Sequence, residues 1–268
     1  MSAPRSHTTT PAPSWRRRRL DRQHSLGLRL TLAATAAFLV LVPFALLMLL
    51  VLTAWPPLHD LDRSVTDALH GYALTHPGWV RAMSWWTDVF GPTPLRLVAL
   101  VGVLWLLWRR ARRLALWVVT TMTVGALLGA VLKLLVGRHR PELLDPVARA
   151  AGWSFPSGHA LNATLFAGVL LLVLLPYARD RWWAKLALWT VALLIAVATG
   201  FSRIALGVHW ASDVLGGWLL GVAVIVATAS AFTTWRRQVG RRPVRTAREG
   251  VEPELADSPN ATGGRDVA

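Results

Sequence analysis

The chain contains no cysteine. That excludes disulfides and thiolate metal sites, although it identifies no compartment. No internal repeat divides the 268 residues. Acid is scarce: 14 Asp and Glu stand against 29 Lys and Arg, a formal net charge of +15. Such a balance is compatible with a nucleic-acid partner, but no base-stacking or groove-reading module accompanies it. The arginines instead cluster at 16–19, 109–113 and 236–248, each beside an apolar segment. Membrane topology explains that distribution, so no nucleic acid is expected as a partner.

What the chain has in abundance is apolar sequence. It is 54% hydrophobic with a mean hydropathy of +0.42, the composition of an integral membrane protein rather than a soluble globule. Six apolar stretches lie at about 30–54, 93–108, 114–133, 160–178, 186–202 and 213–234. Each approaches the roughly 20 residues that a helix needs to cross about 30 Å of hydrocarbon. The expected fold is all-α, a polytopic membrane protein with six transmembrane helices over residues 30–234. Residues 1–29 and 235–268 are polar and basic and read as disordered tails. The second and fifth stretches are the shortest, and Arg96 and Lys185 can snorkel from their ends. The first stretch has the basic flank of a signal peptide, Arg16 to Arg19. Its apolar core is too long for one, and no small-residue cleavage site precedes Trp55-Pro56-Pro57, so a retained anchor is expected.

Loop charge sets an orientation. Arg16 to Arg19, Arg22 and Arg29 precede the first stretch, and Arg109, Arg110, Arg112 and Arg113 follow the second. Arg179, Arg181 and Lys185 follow the fourth, and Arg236 and Arg237 follow the last. With six spans these groups share one side, which the positive-inside rule makes cytoplasmic. Both termini are then cytoplasmic, and residues 137–158 and 203–209 face outward. The opposite loop, 55–92, carries Asp60, Asp62, Asp67 and Asp88 against Arg63 and Arg81. With Trp79, Trp85 and Trp86 it is expected along the membrane interface. Trp55, Trp108, Trp182, Trp183 and Trp235 fall at stretch ends and read as interfacial belt residues.

Three separated patches lie on the outward side. Lys133 and Arg140, the latter followed by Pro141, are seven residues apart and can share a helix face, while Gly137 and Pro141 signal a helix end between them. Alone, they read as a snorkelling lysine and a loop charge. Arginine is nevertheless well suited to phosphate, because its planar fork binds two oxygens at once. Pro156-Ser157-Gly158-His159 reads as the start of the fourth helix. Ser157 is a candidate cap, the free N–H groups and helix dipole favour an anion, and Gly158 lets backbone approach a ligand closely. A capped helix start with an incidental histidine accounts for this patch equally well on its own. The third patch is Ser202-Arg203, a turn containing Gly207, then His209 and Asp213. The last two are four residues apart and would face the same way on a helix. A carboxylate there can accept the imidazole N–H, fix the tautomer and leave the other nitrogen free to attack. The plain alternative, a surface His–Asp pair, is weakened by the position of Asp213 at a transmembrane boundary, where ionisable groups are costly.

Taken jointly, the patches resemble the signatures of the type 2 phosphatidic acid phosphatase family: Lys, six residues, Arg-Pro; then Pro-Ser-Gly-His; then Ser-Arg, five residues, His, three residues, Asp. Every position is matched, and the resemblance covers about residues 55–234. It implies that His209 is a nucleophile forming a phosphohistidine, that Asp213 orients it and that His159 protonates the leaving oxygen. Lys133, Arg140, Arg203 and the backbone at Ser157 and Gly158 would hold the phosphoryl oxygens. No metal or other cofactor is implied, and the outward segments offer no carboxylate cluster for one. The implied activity is hydrolysis of a membrane lipid phosphate or diphosphate, of the undecaprenyl diphosphate or phosphatidic acid class, at the outer face of a bacterial plasma membrane. The heavy use of Ala, Arg, Leu and Trp suggests a GC-rich bacterial source. Two alternatives stay open: phosphotransfer from a lipid diphosphate to an acceptor hydroxyl, and a non-catalytic lipid transporter or binding protein that retains the pocket. Vanadium haloperoxidases, also relatives of the family, do not fit a six-span chain.

Overall fold

The computed structural model describes residue 35 and residues 38–238. The expected N-terminal tail at 1–29 and most of the C-terminal one lie outside the described residues. The described residues form α-helices and one 3₁₀ turn, with no strand among them. In chain order the helices are α1 Phe38–Leu52, α2 Pro56–Thr75, α3 Pro77–Val89, α4 Pro92–Trp108, α5 Arg112–Val136, α6 Gly158–Leu174, α7 Trp182–Ala205 and α8 Ala211–Gln238. Five segments are long and apolar enough to span a bilayer: Pro77–Trp108, Arg112–Val136, Gly158–Ala178, Trp182–Ala205 and Ala211–Thr233. α1 and α2 meet that standard only together, bent by 89° at their junction, and make a sixth span if counted as one.

Residues 55–92 were expected as a loop and are helical almost throughout. Pro56, Pro77 and Pro92 explain why. Each stands at the first turn of its helix, where the missing N–H has no intrahelical partner to lose and the fixed φ is already helical. The prolines start these helices rather than break them. Ala54, at φ 47°, and the Pro56-Pro57 pair end α1 and turn the chain sharply into α2. α2 buries Asp62, Thr66 and Ala73 and packs against α7 and α8. α3 continues past a short break at Phe90 and Gly91 into α4, so the second apolar span is longer than 93–108.

α6 is the central helix and packs against α4, α5, α7 and α8. It is apolar on all sides, as a fully surrounded helix must be. Glycines spaced four apart on both neighbours let backbones approach it closely. Gly125 and Gly129 of α5 face Leu165 and Leu161. On α8, a Cβ at Gly217 would lie 2.7 Å from the carbonyl oxygen of Ser157, and one at Gly221 would lie 2.7 Å from Cβ of Thr164. The N-terminal ends of α6 and α8 are thereby held side by side. Around this core, Leu97, Val101, Leu134 and Leu193 are each more than half exposed. Such a surface suits hydrocarbon and would be an aggregation liability in water.

Candidate active site

Four helix ends converge at one end of the bundle. Lys133 lies in the last turn of α5, whose C-cap Gly137 adopts φ +58° and returns its N–H to the carbonyl of Lys133 at 3.1 Å. The helix therefore stops before Arg140, which stands in the irregular segment 137–157. Gly158 and His159 open α6, Arg203 closes α7, and His209 lies in the short turn before α8. Gly207, at φ +66°, makes that turn possible. At the opposite ends of these helices, Arg109 and Arg110 lie between α4 and α5, Arg112 and Arg113 open α5, Arg179 and Arg181 lie between α6 and α7, and Lys185 stands in the first turn of α7.

His209 is buried, 2% exposed, and held at both nitrogens. Nδ1 is 3.3 Å from Oδ2 of Asp213, and Nε2 is 3.1 Å from Nη1 of Arg140. A guanidinium can only donate, so Nε2 is the acceptor and the proton sits on Nδ1, facing the carboxylate. Burial pushes the imidazole down to about 4, with Arg140 and Lys133 adding repulsion against the pull of Asp213. The ring is therefore neutral, with the Nε2 lone pair available. Burial also lowers the Arg140 guanidinium from its ordinary value, with Asp213 opposing.

His209 and Asp213 do not meet along a helix face, as their spacing suggested. His209 precedes α8, and Asp213 is the third residue of that helix. Oδ2 of Asp213 also accepts the backbone N–H of Trp210 at 2.9 Å, the reciprocal half of a capping box. The carboxylate is thus locked by the helix start as well as by the imidazole.

The cations surround this pair. Arg140 donates to the carbonyls of Val208 at 2.6 Å, Gly152 at 2.9 Å and Ala151 at 3.1 Å. Lys133 Nζ donates to the carbonyl of Trp153 at 2.6 Å. Arg203 donates through Nη1 to Thr87 at 3.1 Å, while its buried Nε has no protein partner. Ser157 occupies the N-cap position of α6, but its hydroxyl makes no capping bond and is likewise buried without a partner. Its N–H donates to the carbonyl of Asp213 at 2.9 Å. Ser157 therefore neither caps by its side chain nor offers a free N–H, contrary to expectation. The first intrahelical bond runs from Leu161 to Ser157, so the N–H groups of Gly158, His159 and Ala160 have no helical partner. His159, half-buried, feels the charges of Arg203, Arg140 and Lys133 and the nearby His209 ring. Among the described residues no three His, Asp or Glu side chains gather as metal ligands; an anion here would meet guanidinium and ammonium groups instead.

Several participants escaped the sequence reading. Arg138, Asp62, Ser154 and Ser212 form a buried polar network around Asp213. Arg96 does more than snorkel: its Nε donates to Asn162 at 3.0 Å, and Asn162 donates to the carbonyl of Gly158 at 2.7 Å. The one available signal for Asp62 was a carboxylate in an otherwise apolar helical repeat of α2, which the loop assignment hid.

A family model described as the PAP2 superfamily matches residues 114–237, a segment containing all three patches. The undecaprenyl-diphosphatase of Sulfolobus acidocaldarius is 34% identical over 128 residues, 45% of this chain and 56% of that protein. The phosphatidylglycerophosphatase B of Bacillus subtilis is 40% identical over 96 residues, 36% of this chain and 47% of that protein. The chain spans about half the length of these curated relatives. Among solved structures, a transmembrane PAP2 type phosphatidylglycerolphosphate phosphatase from Bacillus subtilis superposes with a TM-score of 0.63 at 25% identity, covering 76% of this chain and 98% of that one.

Proposed function

We propose, on the match of a PAP2 superfamily model to residues 114–237, that this multi-pass membrane protein hydrolyses a lipid phosphate or diphosphate through a phosphohistidine on His209. The observation that carries this reading is the buried imidazole with opposite environments at its two nitrogens, Asp213 at Nδ1 and Arg140 at Nε2. On arrival of substrate, Arg140 passes from Nε2 to a phosphoryl oxygen. The Nε2 lone pair attacks phosphorus, a P–N bond forms, and the bond from that phosphorus to the leaving oxygen of the lipid alcohol or lipid monophosphate breaks. His159, protonated once the negative charge of the bound phosphate offsets the surrounding cations, gives its proton to the leaving oxygen. In the second step His159 takes a proton from water, the hydroxyl attacks phosphorus, and the P–N bond breaks to release inorganic phosphate and neutral His209. Lys133, Arg140, Arg203 and the N–H groups at Gly158 and His159 meet the charge on the equatorial oxygens. The unpartnered Ser157 hydroxyl and Arg203 Nε are further donors facing the same task.

The arginine-rich connections opposite the site favour an outward-facing site with cytoplasmic termini, by the positive-inside rule. An apolar surface around the site suits a phosphate tethered to a long tail. Each methylene kept in the membrane contributes about 0.8 kcal/mol, so the bilayer concentrates such substrates beside the pocket. We favour an isoprenoid diphosphate over a glycerolipid phosphate.

The test uses purified protein in lipid–detergent micelles with excess EDTA. Terminally labelled undecaprenyl diphosphate should release phosphate, vanadate should inhibit, and a rapid quench should trap acid-labile label on the protein. His209→Ala should trap none and lose several orders of magnitude in rate. Activity of His209→Ala within tenfold of the parent refutes the mechanism. Higher kcat/KM on phosphatidic acid than on the isoprenoid diphosphate moves the substrate to the glycerolipid class.

A further inference from the structure

Asp213 is not held by His209 alone. Its Oδ1 accepts from Nη1 of Arg138 at 2.8 Å, and its Oδ2 accepts from the Ser154 hydroxyl at 2.5 Å. The second nitrogen of the same guanidinium, Nη2, donates to Oδ2 of Asp62 at 2.7 Å. Asp62 also accepts the Ser212 N–H at 2.9 Å and, through a short bond, the Ser212 hydroxyl. The two carboxylates are 1% and 0% exposed and the Arg138 side chain 14%. The Trp210 ring lies 5.6 Å from the guanidinium carbon. One guanidinium is thus forked between a carboxylate of α2 and a carboxylate of α8. Asp62 lies outside the segment matched by the family model, which begins at residue 114.

We propose that Asp62 and Arg138 are positioning residues for the phosphoryl transfer, a charge-balanced clasp from α2 that fixes the Asp213 carboxylate and through it the orientation and basicity of His209. The inference rests on His209 being the attacking group. Arg138 occupies Oδ1, which leaves Oδ2 to face Nδ1. Two carboxylates, one guanidinium and a neutral imidazole sum to one negative charge. An imidazole that has formed an N–P bond while keeping its Nδ1 proton is a cation, so the clasp becomes neutral when the intermediate forms. A buried charge network of this kind is costly to break from one side.

The consequence is a pair of opposite shifts. The charged and titratable groups around His209 are Asp213 of α8, Arg138 and Arg140 of the irregular segment, Lys133 of α5, and His159 of α6. Arg203 of α7, with Asp88 of α3 beside it, and Asp62 of α2 complete the set. Protonation blocks Nε2, so kcat/KM falls as pH drops through the His209 value, about 4 in the parent. Arg138→Gln removes a cation and should move this acid limb up by about one unit. Asp62→Asn removes an anion and should leave the limb at or below the parent's while loosening the fork. Arg138→Lys keeps the charge without the fork and should keep the limb near the parent's.

The experiment measures pH profiles of phosphate release for full-length parent, Arg138→Gln, Arg138→Lys and Asp62→Asn in micelles, with folding followed by size-exclusion in detergent. The expected result is a kcat loss of about tenfold or more with KM nearly unchanged in each variant, and an upward limb only in Arg138→Gln. Limbs of Arg138→Gln and Asp62→Asn that both rise, or kcat within twofold of the parent, overturn the proposal. If Arg138→Gln does not fold, the other two variants decide: a loss confined to KM overturns it, and a loss in kcat supports it. An inactive His209→Ala beside parent-like clasp variants defeats this inference alone, whereas an active His209→Ala defeats the mechanism beneath it.

Discussion

Gly217 offers a test of how tightly the chemistry depends on helix packing. A Cβ there would stand 2.7 Å from the backbone oxygen of Ser157, 2.9 Å from Cβ of Ala160 and 3.1 Å from the amide nitrogen of Leu161. None of these atoms can swing aside, because all belong to the first turn of α6 or its cap. Relaxing the closest approach to an ordinary contact of 3.4 Å parts the helices by about 0.7 Å, an overpacking strain of the kind that costs about 1–3 kcal/mol. Alanine recovers up to about 1 kcal/mol of that through helix propensity. The bond from Ser157 N–H to the Asp213 carbonyl, 2.9 Å long, spans the same seam and lengthens with it. His209 and Asp213 belong to the α8 side, and Gly158 and His159 to the α6 side. A displacement approaching 1 Å between reacting groups costs about 10²-fold in rate. Gly217→Ala should therefore fold, melt within a few degrees of the parent, and release phosphate about 30- to 100-fold more slowly. Gly102→Ala is the control, since nothing lies within 4 Å of its added methyl. The assay is phosphate release under saturating substrate, with a thermal melt of each variant in the same detergent. A Gly217→Ala enzyme within threefold of the parent refutes the argument.

Two further outcomes follow from the same geometry. Asp213→Asn turns one acceptor oxygen into a donor facing either Arg138 or His209 Nδ1; the tautomer that avoids the clash protonates Nε2, so kcat should fall by about 10³–10⁴, and a loss below tenfold contradicts the assigned tautomer. Because the chain has no cysteine, single cysteines report topology cleanly: Arg149→Cys should react with an impermeant maleimide on intact cells and Arg110→Cys only after permeabilisation, with the reverse pattern overturning the outward-facing site.

The residues of the candidate site could be singled out in the sequence because phosphate chemistry restricts their types. Lys133, Arg140, His159, Arg203, His209 and Asp213 were named from three patches that jointly resemble one family's signatures, and the fold brings them to the ends of α5, α6, α7 and α8 and the turns beside them. Their geometry was less legible. The spacing of His209 and Asp213 suggested a shared helix face, but the contact arises at a helix start, where Asp213 also binds Trp210. Ser157 was chosen as a cap by residue type, yet its N–H is spent on the Asp213 carbonyl of a neighbouring helix, a partner no local rule could supply. The helices of 56–89 were missed because proline reads as a breaker unless its place in the first turn is known. Asp62 was missed with them, since its partner Arg138 stands 76 residues away. Arg138 itself lies between Lys133 and Arg140, and nothing in composition distinguishes the cation that faces His209 from the one that turns to the carboxylates. The glycines at 125, 129, 217 and 221 carried a usable signal, small residues four apart on two apolar helices.

The site's position follows from what a membrane tolerates. Irregular backbone near hydrocarbon must have its carbonyls satisfied within the protein, and in residues 137–157 the cations of the candidate site meet part of that need. Arg140 donates to four carbonyls in or beside that segment, at Ala151, Gly152, Trp153 and Val208, and Lys133 also donates to the one at Trp153. The same donors would hold a phosphoryl group, so substrate binding and the folding of this segment draw on shared hydrogen bonds. That sharing explains why the cations stand at helix ends rather than deeper. An arginine farther down α6 would lack both the carbonyls and the anion, and would be left as an unpaired charge buried inside the bundle. The apolar centre of α6 begins immediately after His159, at Ala160 and Leu161, which are 0% and 1% exposed. The charged groups of the candidate site thus gather at one end of the bundle, where the phosphate of the proposed substrate would meet them with its tail still in the bilayer.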